Sequence, residues 1–403
     1  MSAHANPDIV DDNLVFMYDT DDGKSFKGEP TVNLVGAMTK NFSSWSGLTG
    51  STEYYTTSTG GQGVKLITTS SGGVRWYVSS TIYNIQASTQ YTISATVKYT
   101  GGTPHPNLLY VRQYDGNGQT SESGKFTTAN VRDLGGGWKR IWRTFTTDST
   151  TTHINLQGYE YTTGKTIYIQ DLQFELKSHA TQFAGVSTTR SATQGLLDRT
   201  GTSTIDISNA SFDSNAQMAF DGTDDYLSLG SNSTLQAIGS NATIECWFKS
   251  SSTVGSKFAL MVGWGQGTSY YSNFGIGNWF SAWSDESIYV GVNSAAVVYA
   301  ERDGSAKYHD GNWHHAVALI GQNNHKIFVD GSEVPVSFAY GSDSVSTSNI
   351  FGFSSGTEVY IGLRPYGNGH FQGDLPVVKI YDRLLTAAEV LQNFNATKSR
   401  FGL

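Results

Sequence analysis

The chain is 403 residues long, enough for two domains with full cores. Charged residues make up 15% of it, glycines number 45 and aromatics reach 13%; against ~25% charge in an average domain, this composition favours strands and turns over helices. The net charge of −8, with no Lys/Arg cluster to offset it, excludes nucleic acid and anionic membrane from the expected partners. No stretch approaches the ~20 apolar residues of a membrane span.

In chain order, residues 1–13 are polar and read as an N-terminal arm, without the apolar run of a secretory signal, so synthesis in a cytosol is expected. Leu14-Val-Phe-Met-Tyr18 is a short apolar strand, Asp19 to Lys24 a turn, and Gly28 to Thr31 a linker. From Val32 to about Phe183 the chain reads as strands. Val74, Trp76 and Val78 alternate with Arg75 and Tyr77; Tyr91, Ile93, Ala95 and Val97 alternate with polar neighbours; Leu109, Val111 and Gln113 oppose Tyr110, Arg112 and Tyr114. Gly137 to Phe145, Ile154 to Leu156 and Thr166 to Leu176 bring the count to about eight, as in a sandwich. Arg190 to Thr204 is Ser/Thr-rich and loop-like.

Asp310 to Gly331 reads as strand, tight turn, strand. Trp313, His315, Val317 and Leu319 fall on one face and His314, Ala316, Ala318 and Ile320 on the other, and burial is expected on one side only. Asp330-Gly331 is a second reversal. Cys246 is the only cysteine and reads as a small buried residue rather than a nucleophile. Thr386-Ala-Ala-Glu389 is a capping box opening a short helix, with Val390, Leu391 and Phe394 expected on one side.

Several of these stretches resemble known families. The Trp313-His-His-Ala-Val-Ala strand with the Val329-Asp-Gly strand, Phe220-Asp-Gly with Tyr226-Leu-Ser-Leu, Thr243-Ile-Glu-Cys-Trp-Phe, Val359-Tyr-Ile-Gly and Phe371 to Leu385 together resemble laminin-G-like, concanavalin-A-like lectin domains. Gly137-Trp138 leading to Thr144-Phe145-Thr146, and Ile167 to Glu175, resemble carbohydrate-binding-module jelly rolls. In such modules a Glu near the start and a late Asp, here Asp171, commonly hold calcium; Ser43 stands where the Glu would be. The lectin-like resemblance implies an opening strand at Leu14 to Asp19, whereas Phe220-Asp-Gly lies far downstream. The expected layout is therefore 1–13 arm, 14–30 first strand of the lectin-like domain, 31–186 inserted jelly roll, and 187–403 main part of the lectin-like domain with the C-terminal helix. Leu14 to Tyr18 is expected to pair antiparallel with Val377 to Tyr381. The fold class is all-β, two jelly-roll sandwiches.

Sugar binding needs flat aromatic faces and a few fixed polar groups. With Ile141 and Phe145 facing the core, Arg140, Trp142 and Thr144 face out, and Tyr77, Tyr110, Tyr114, Tyr159 and Tyr161 are candidates for the same surface; a protein interface would use the same residue types. Tyr270, Tyr271, Trp279, Trp283 and Tyr366 cluster in Gly-rich loops as a glycan rim, an oligomer contact or loop packing. Asp221, Asp224 and Asp225 read either as a calcium site or as a turn held by its own side chains; the turn is preferred because few ligands are in sight locally. Glycoside hydrolases related to this sandwich carry Glu-x-Asp-x-x-Glu on one strand, and the nearest approach, Glu301-Arg-Asp303, lacks the third acid. The resemblance implies a non-enzymatic virion protein of a tailed phage, decorating the particle or forming a fibre-like appendage, with homo-oligomeric or other virion partners and weak binding of host glycan. A receptor-binding adhesin and a polysaccharide depolymerase are the rival readings.

Overall fold

The computed structural model describes residues 8–35, 50–58, 62–69, 73–78, 81–100, 105–123, 125, 130–185, 188–213, 217–251, 258–265, 273–279, 287–292, 296–300, 308–322, 324–340, 357–364 and 369–403. The chain divides into two compact units. A flanking unit comprises residues 1–27, 192–213 and 217–403, and an inserted unit comprises residues 28–191 with 214–216. The sequence reading sets the insert at 31–186.

The flanking unit is built from two antiparallel sheets. One runs in the order Ser211–Phe212, Met218–Asp221, Gln372–Tyr381, Asn241–Ser251, Asp310–Gly321, Asn324–Val329, Ser332–Val334. Leu14–Asp19 also pairs with Gln372–Tyr381, Leu14 opposite Tyr381 and Asp19 opposite Val377. The other sheet runs Leu227–Gly230, Glu358–Ile361, Phe258–Gly265, Asn273–Trp279, Ser287–Val292, Ala296–Ala300, Val336–Tyr340. The core lies between them: Phe16, Ile244, Phe248 and Ile320 from the first sheet meet Val262, Trp264, Ile276 and Ile361 from the second.

Strand alternation places the two faces of Asp310–Gly321 as expected, but both are buried. Ala316, Ala318 and Ile320 enter the core between the sheets, while Val317 and Leu319 join Val10, Phe328, Tyr381 and Val390 on the outer side. The expectation of one-sided burial is corrected because the C-terminal helix, Ala387–Thr397, covers that outer side. Its capping box is formed: Glu389 N–H donates to Thr386 Oγ1 at 3.2 Å, and Thr386 N–H to Glu389 Oε2 at 2.7 Å. Val390 and Asn393 are buried, Phe394 stacks on Trp247 at 5.8 Å, and Leu391 is 46% exposed. Leu391 does not share the side of Val390, being about 100° further round the helix.

Two further expectations are corrected. The described part of the N-terminal segment, residues 8–13, is no free arm. Val10 N–H donates to Asn393 Oδ1 at 2.8 Å, Tyr381 O–H donates to Val10 O at 2.9 Å, and Gln392 donates to Asp8 O at 2.7 Å. Nor is Gly28 to Thr31 a loose linker: Glu29 is buried and ion-paired to His179 at 3.0 Å and Lys177 at 3.2 Å.

The inserted unit is a sandwich of its own. A six-stranded sheet runs Val131–Gly135, Trp138–Thr146, Gln90–Thr100, Thr166–Glu175, Gln62–Ile67, Ser51–Thr56. A five-stranded sheet runs Val74–Tyr77, His153–Glu160, Tyr110–Asp115, Gly118–Ser123, with Ile82–Tyr83 also on His153–Glu160. Val64, Ile93, Val97, Ile141 and Ile169 of the first sheet pack on Trp76, Val111, Ile154 and Leu156 of the second. The ends of the unit are tied by the pair Thr31–Val32 and Thr189–Arg190.

Candidate functional site

Once Trp76, Val111, Ile154 and Leu156 point inward, the alternate residues of the five-stranded sheet must point outward. The register then stacks them in cross-strand rows. Arg75 lies opposite Tyr159. Tyr77 and Tyr110 flank Gln157, Asn155 lies opposite Arg112 and Arg112 opposite Glu122, and His153 lies between Tyr83 and Tyr114. Gly158 makes this possible. A side chain there would meet Leu108 O at 1.7 Å, so only glycine lets the strand approach the segment that accepts the Trp76 indole N–H at 2.9 Å.

The rings form two groups. At one end His105, Tyr110 and Tyr161 surround Tyr159, with ring centroids 5.0, 5.7 and 4.5 Å from it. At the other, Tyr114 stacks on His153 at 5.0 Å and 7°, with Tyr83 at 5.5 Å on the same imidazole. Polar groups lie between. Arg112 sits 5.9 Å over the Tyr110 ring and holds Glu122 at 3.1 Å. Arg75 Nη2 donates to Gln157 Oε1, and the buried Gln157 Nε2 has no hydrogen-bond partner among the described residues. Asn107 Nδ2 donates to the Tyr159 hydroxyl. Burial pushes the Tyr110 hydroxyl up, so it stays protonated and able to donate.

This geometry corrects the grouping read from sequence. Trp142 does not share a surface with the tyrosines, because it lies on the six-stranded sheet, opposite Ser94. There it is half-buried, on the face away from the core, beside the buried Arg140, whose guanidinium donates to Asp171 O and Ser94 Oγ, each at 2.7 Å. Burial pulls the Arg140 pKa down to about 10. Tyr110 is only 1% exposed, so it supports the surface rather than forming it, whereas Tyr161 is 45% exposed. Tyr77, Tyr114 and Tyr159 are half-buried. The residues of this face that the sequence reading does not name as candidates are His105, His153, Gln157, Arg75, Arg112 and Tyr83; strand alternation alone turns several of them outward, but they are neither Trp nor, Tyr83 apart, Tyr.

Of the other candidates, Tyr270, Tyr271, Trp283 and Tyr366, the side chain of Trp279, and Glu301 with Asp303, lie outside the described residues. Asp221, Asp224 and Asp225 each bring one ligand atom within 4.8 Å of the others. Their oxygens also hold the turn. Asp225 accepts from Ser211 N–H at 2.8 Å and Asp221 N–H at 2.7 Å, and Asp221 accepts from Thr223 N–H at 2.7 Å. That last bond lowers the Asp221 carboxyl, while burial raises that of Asp225. His314 and His315 part to opposite faces, His314 to Asp330 at 2.9 Å and His315 to Glu245 at 3.0 Å.

Comparison with known proteins finds a family match within the flanking unit. Residues 221–391 match the family model of the Concanavalin A-like lectin/glucanases superfamily, Laminin_G_3. No curated protein matches the sequence. Among solved structures, the chain is similar to domain 4 of an extracellular arabinanase from Geobacillus stearothermophilus in complex with arabinotriose, at 14% identity and TM-score 0.33, covering 47% of this chain and 81% of that one. It is also similar to a sialidase carbohydrate-binding module from Ruminococcus gnavus bound to α2,3-sialyllactose, at 17% identity and TM-score 0.27, covering 40% and 84%. A third likeness is to Trypanosoma rangeli sialidase, at 11% identity and TM-score 0.38, covering 60% of this chain and 43% of that one.

Proposed function

We propose that this chain is a non-enzymatic surface protein that binds glycan on the outward face of the five-stranded sheet of its inserted unit. The observation that carries the reading is the ladder of Tyr114, His153, Tyr159 and Tyr161 beside the half-buried Arg112. Aromatic faces stack on sugar C–H groups, and the fixed guanidinium orients hydroxyls. The family match of residues 221–391 is compatible with such a role. The non-catalytic part of the reading rests on the sequence, where Glu301-Arg-Asp303 lacks a third acid on the strand pattern of the related hydrolases.

The placement we propose is the surface of a tailed-phage particle, assembled in the host cytoplasm as a homo-oligomer among other virion proteins. It is supported by the order of lectin-like motifs and the closing helix. In this reading the Asp221–Asp225 turn needs no calcium, since its backbone donors already hold it. A chelator then leaves the melting temperature unchanged, and a drop reversed by calcium would assign the turn to the metal. A glycan array run beside a polysaccharide degradation assay tests the function. Binding without cleavage is expected; cleavage would make the chain a depolymerase, and neither would leave a structural role alone.

A further inference from the structure

We propose that the flanking unit carries a separate ligand site, a cleft of about 390 Å3 beside the start of Gln372–Tyr381, which takes a small alkylammonium ligand with its charge on Asp374 and its carbon skeleton on Trp313 and Phe401. The volume falls in the range of small-ligand pockets, ~300–1,000 Å3. Leu375 and Pro376 also line it, and the Trp313 and Phe401 rings are 4.9 Å apart at 53°.

The charges select the ligand. Arg400, at the cleft, is taken: its Nη1 holds both oxygens of Asp19 at 2.7 and 2.8 Å, and its Nε lies 3.4 Å from Asp21. Asp374 is half-buried, and among the described residues its carboxylate has no hydrogen-bond or ion-pair partner. Lys249 lies directly across the strands from Asp374, yet its ammonium sits 5.8 Å from the Trp313 ring centroid. The ring thus already attracts an ammonium, and the carboxylate is left without one. A half-desolvated carboxylate without a partner is costly, and a cation in the cleft removes that cost. Burial raises the Asp374 pKa in keeping with this, against the opposing pull of Lys249. A neutral polyol could use the same rings, but only an ammonium adds a charge-assisted bond and a cation–π contact. The site is independent of the glycan-binding face.

The test uses the full chain and two probes of one shape, cyclohexylamine and cyclohexanol, with the Trp313 indole N–H followed by NMR and assigned by Trp313→Phe. The amine is expected to shift that signal and the alcohol to leave it unmoved at the same concentration. Asp374→Asn, nearly isosteric, should weaken amine binding about tenfold. Lys249→Met, which removes the competing ammonium, should tighten it and keeps the test decisive if the Asn variant is unstable. Equal response to both probes, no response to either, or amine binding indifferent to both substitutions would overturn the proposal.

Discussion

Glu245 has its carboxylate buried on the outer side of the flanking unit's first sheet. Its Oε1 lies 2.6 Å from Lys379 Nζ and 3.0 Å from His315 Nε2, and its Oε2 accepts from Asn393 at 2.6 Å. Burial pushes the carboxyl up, but Lys379 and His315 outweigh it and hold the pKa at about 2. A folded pKa below the unfolded value of ~4.3 stabilises fully above that value and loses its contribution as pH falls towards 2. The thermal midpoint should therefore drop across that window. Glu245→Gln leaves Lys379 buried and unpaired and should cost about 3–5 kcal/mol in chemical denaturation. Adding Lys379→Met should recover much of this and blunt the acid loss; a double variant no more stable than the single would contradict the coupling. None of this was legible in Thr-Ile-Glu-Cys-Trp-Phe, where alternation puts Glu245 away from the main core but cannot show the helix that covers it.

At the scale of elements, local chemistry was readable and long-range partners were not. The capping box at Thr386 and Glu389 is written within four residues, and it forms. Thr386→Ala should cost about 1 kcal/mol and speed hydrogen exchange at Val10, whose amide is held by Asn393 of that helix; unchanged exchange would separate the segment from the helix. The helix's docking side was misjudged because Trp247, on a distant strand, selects Phe394 and not Leu391. In the same way, alternation told that Trp142 and Tyr114 point away from the core, but phase gives a face and not a sheet. The distinction is measurable. Trp76→Ala should cost ~3–5 kcal/mol as a core truncation, and Trp142→Ala, on the outer face, clearly less; equal losses would place Trp142 in the core.

For the whole molecule, the sequence separated two textures, and the ordered motifs implied that one interrupts the other. In the structure Leu14–Asp19 pairs with Gln372–Tyr381, while residues 28–191 form a unit with its own core. The chain leaves and rejoins the flanking unit at one place: Phe26 bridges Leu196, and Lys27 N–H donates to Gly195 O at 2.8 Å. Insertion is tolerated where the ends are close in this way. Replacing residues 28–191 by a short Gly/Ser link should leave a flanking unit that unfolds cooperatively, whereas deleting residues 1–27 should destabilise that unit and spare the insert. Collapse of the first variant, or damage to the insert in the second, would argue against independent units.

The most direct measurement is titration of a glycan ligand, chosen from the array, into three full-length proteins: the parent, Tyr114→Ala/Tyr161→Ala, and Trp142→Ala. Removing two stacking faces from the five-stranded sheet should weaken binding at least about tenfold, while Trp142→Ala, on the other sheet, should bind as the parent does. Retained binding in the double tyrosine variant with loss in Trp142→Ala would contradict the placement of the glycan site.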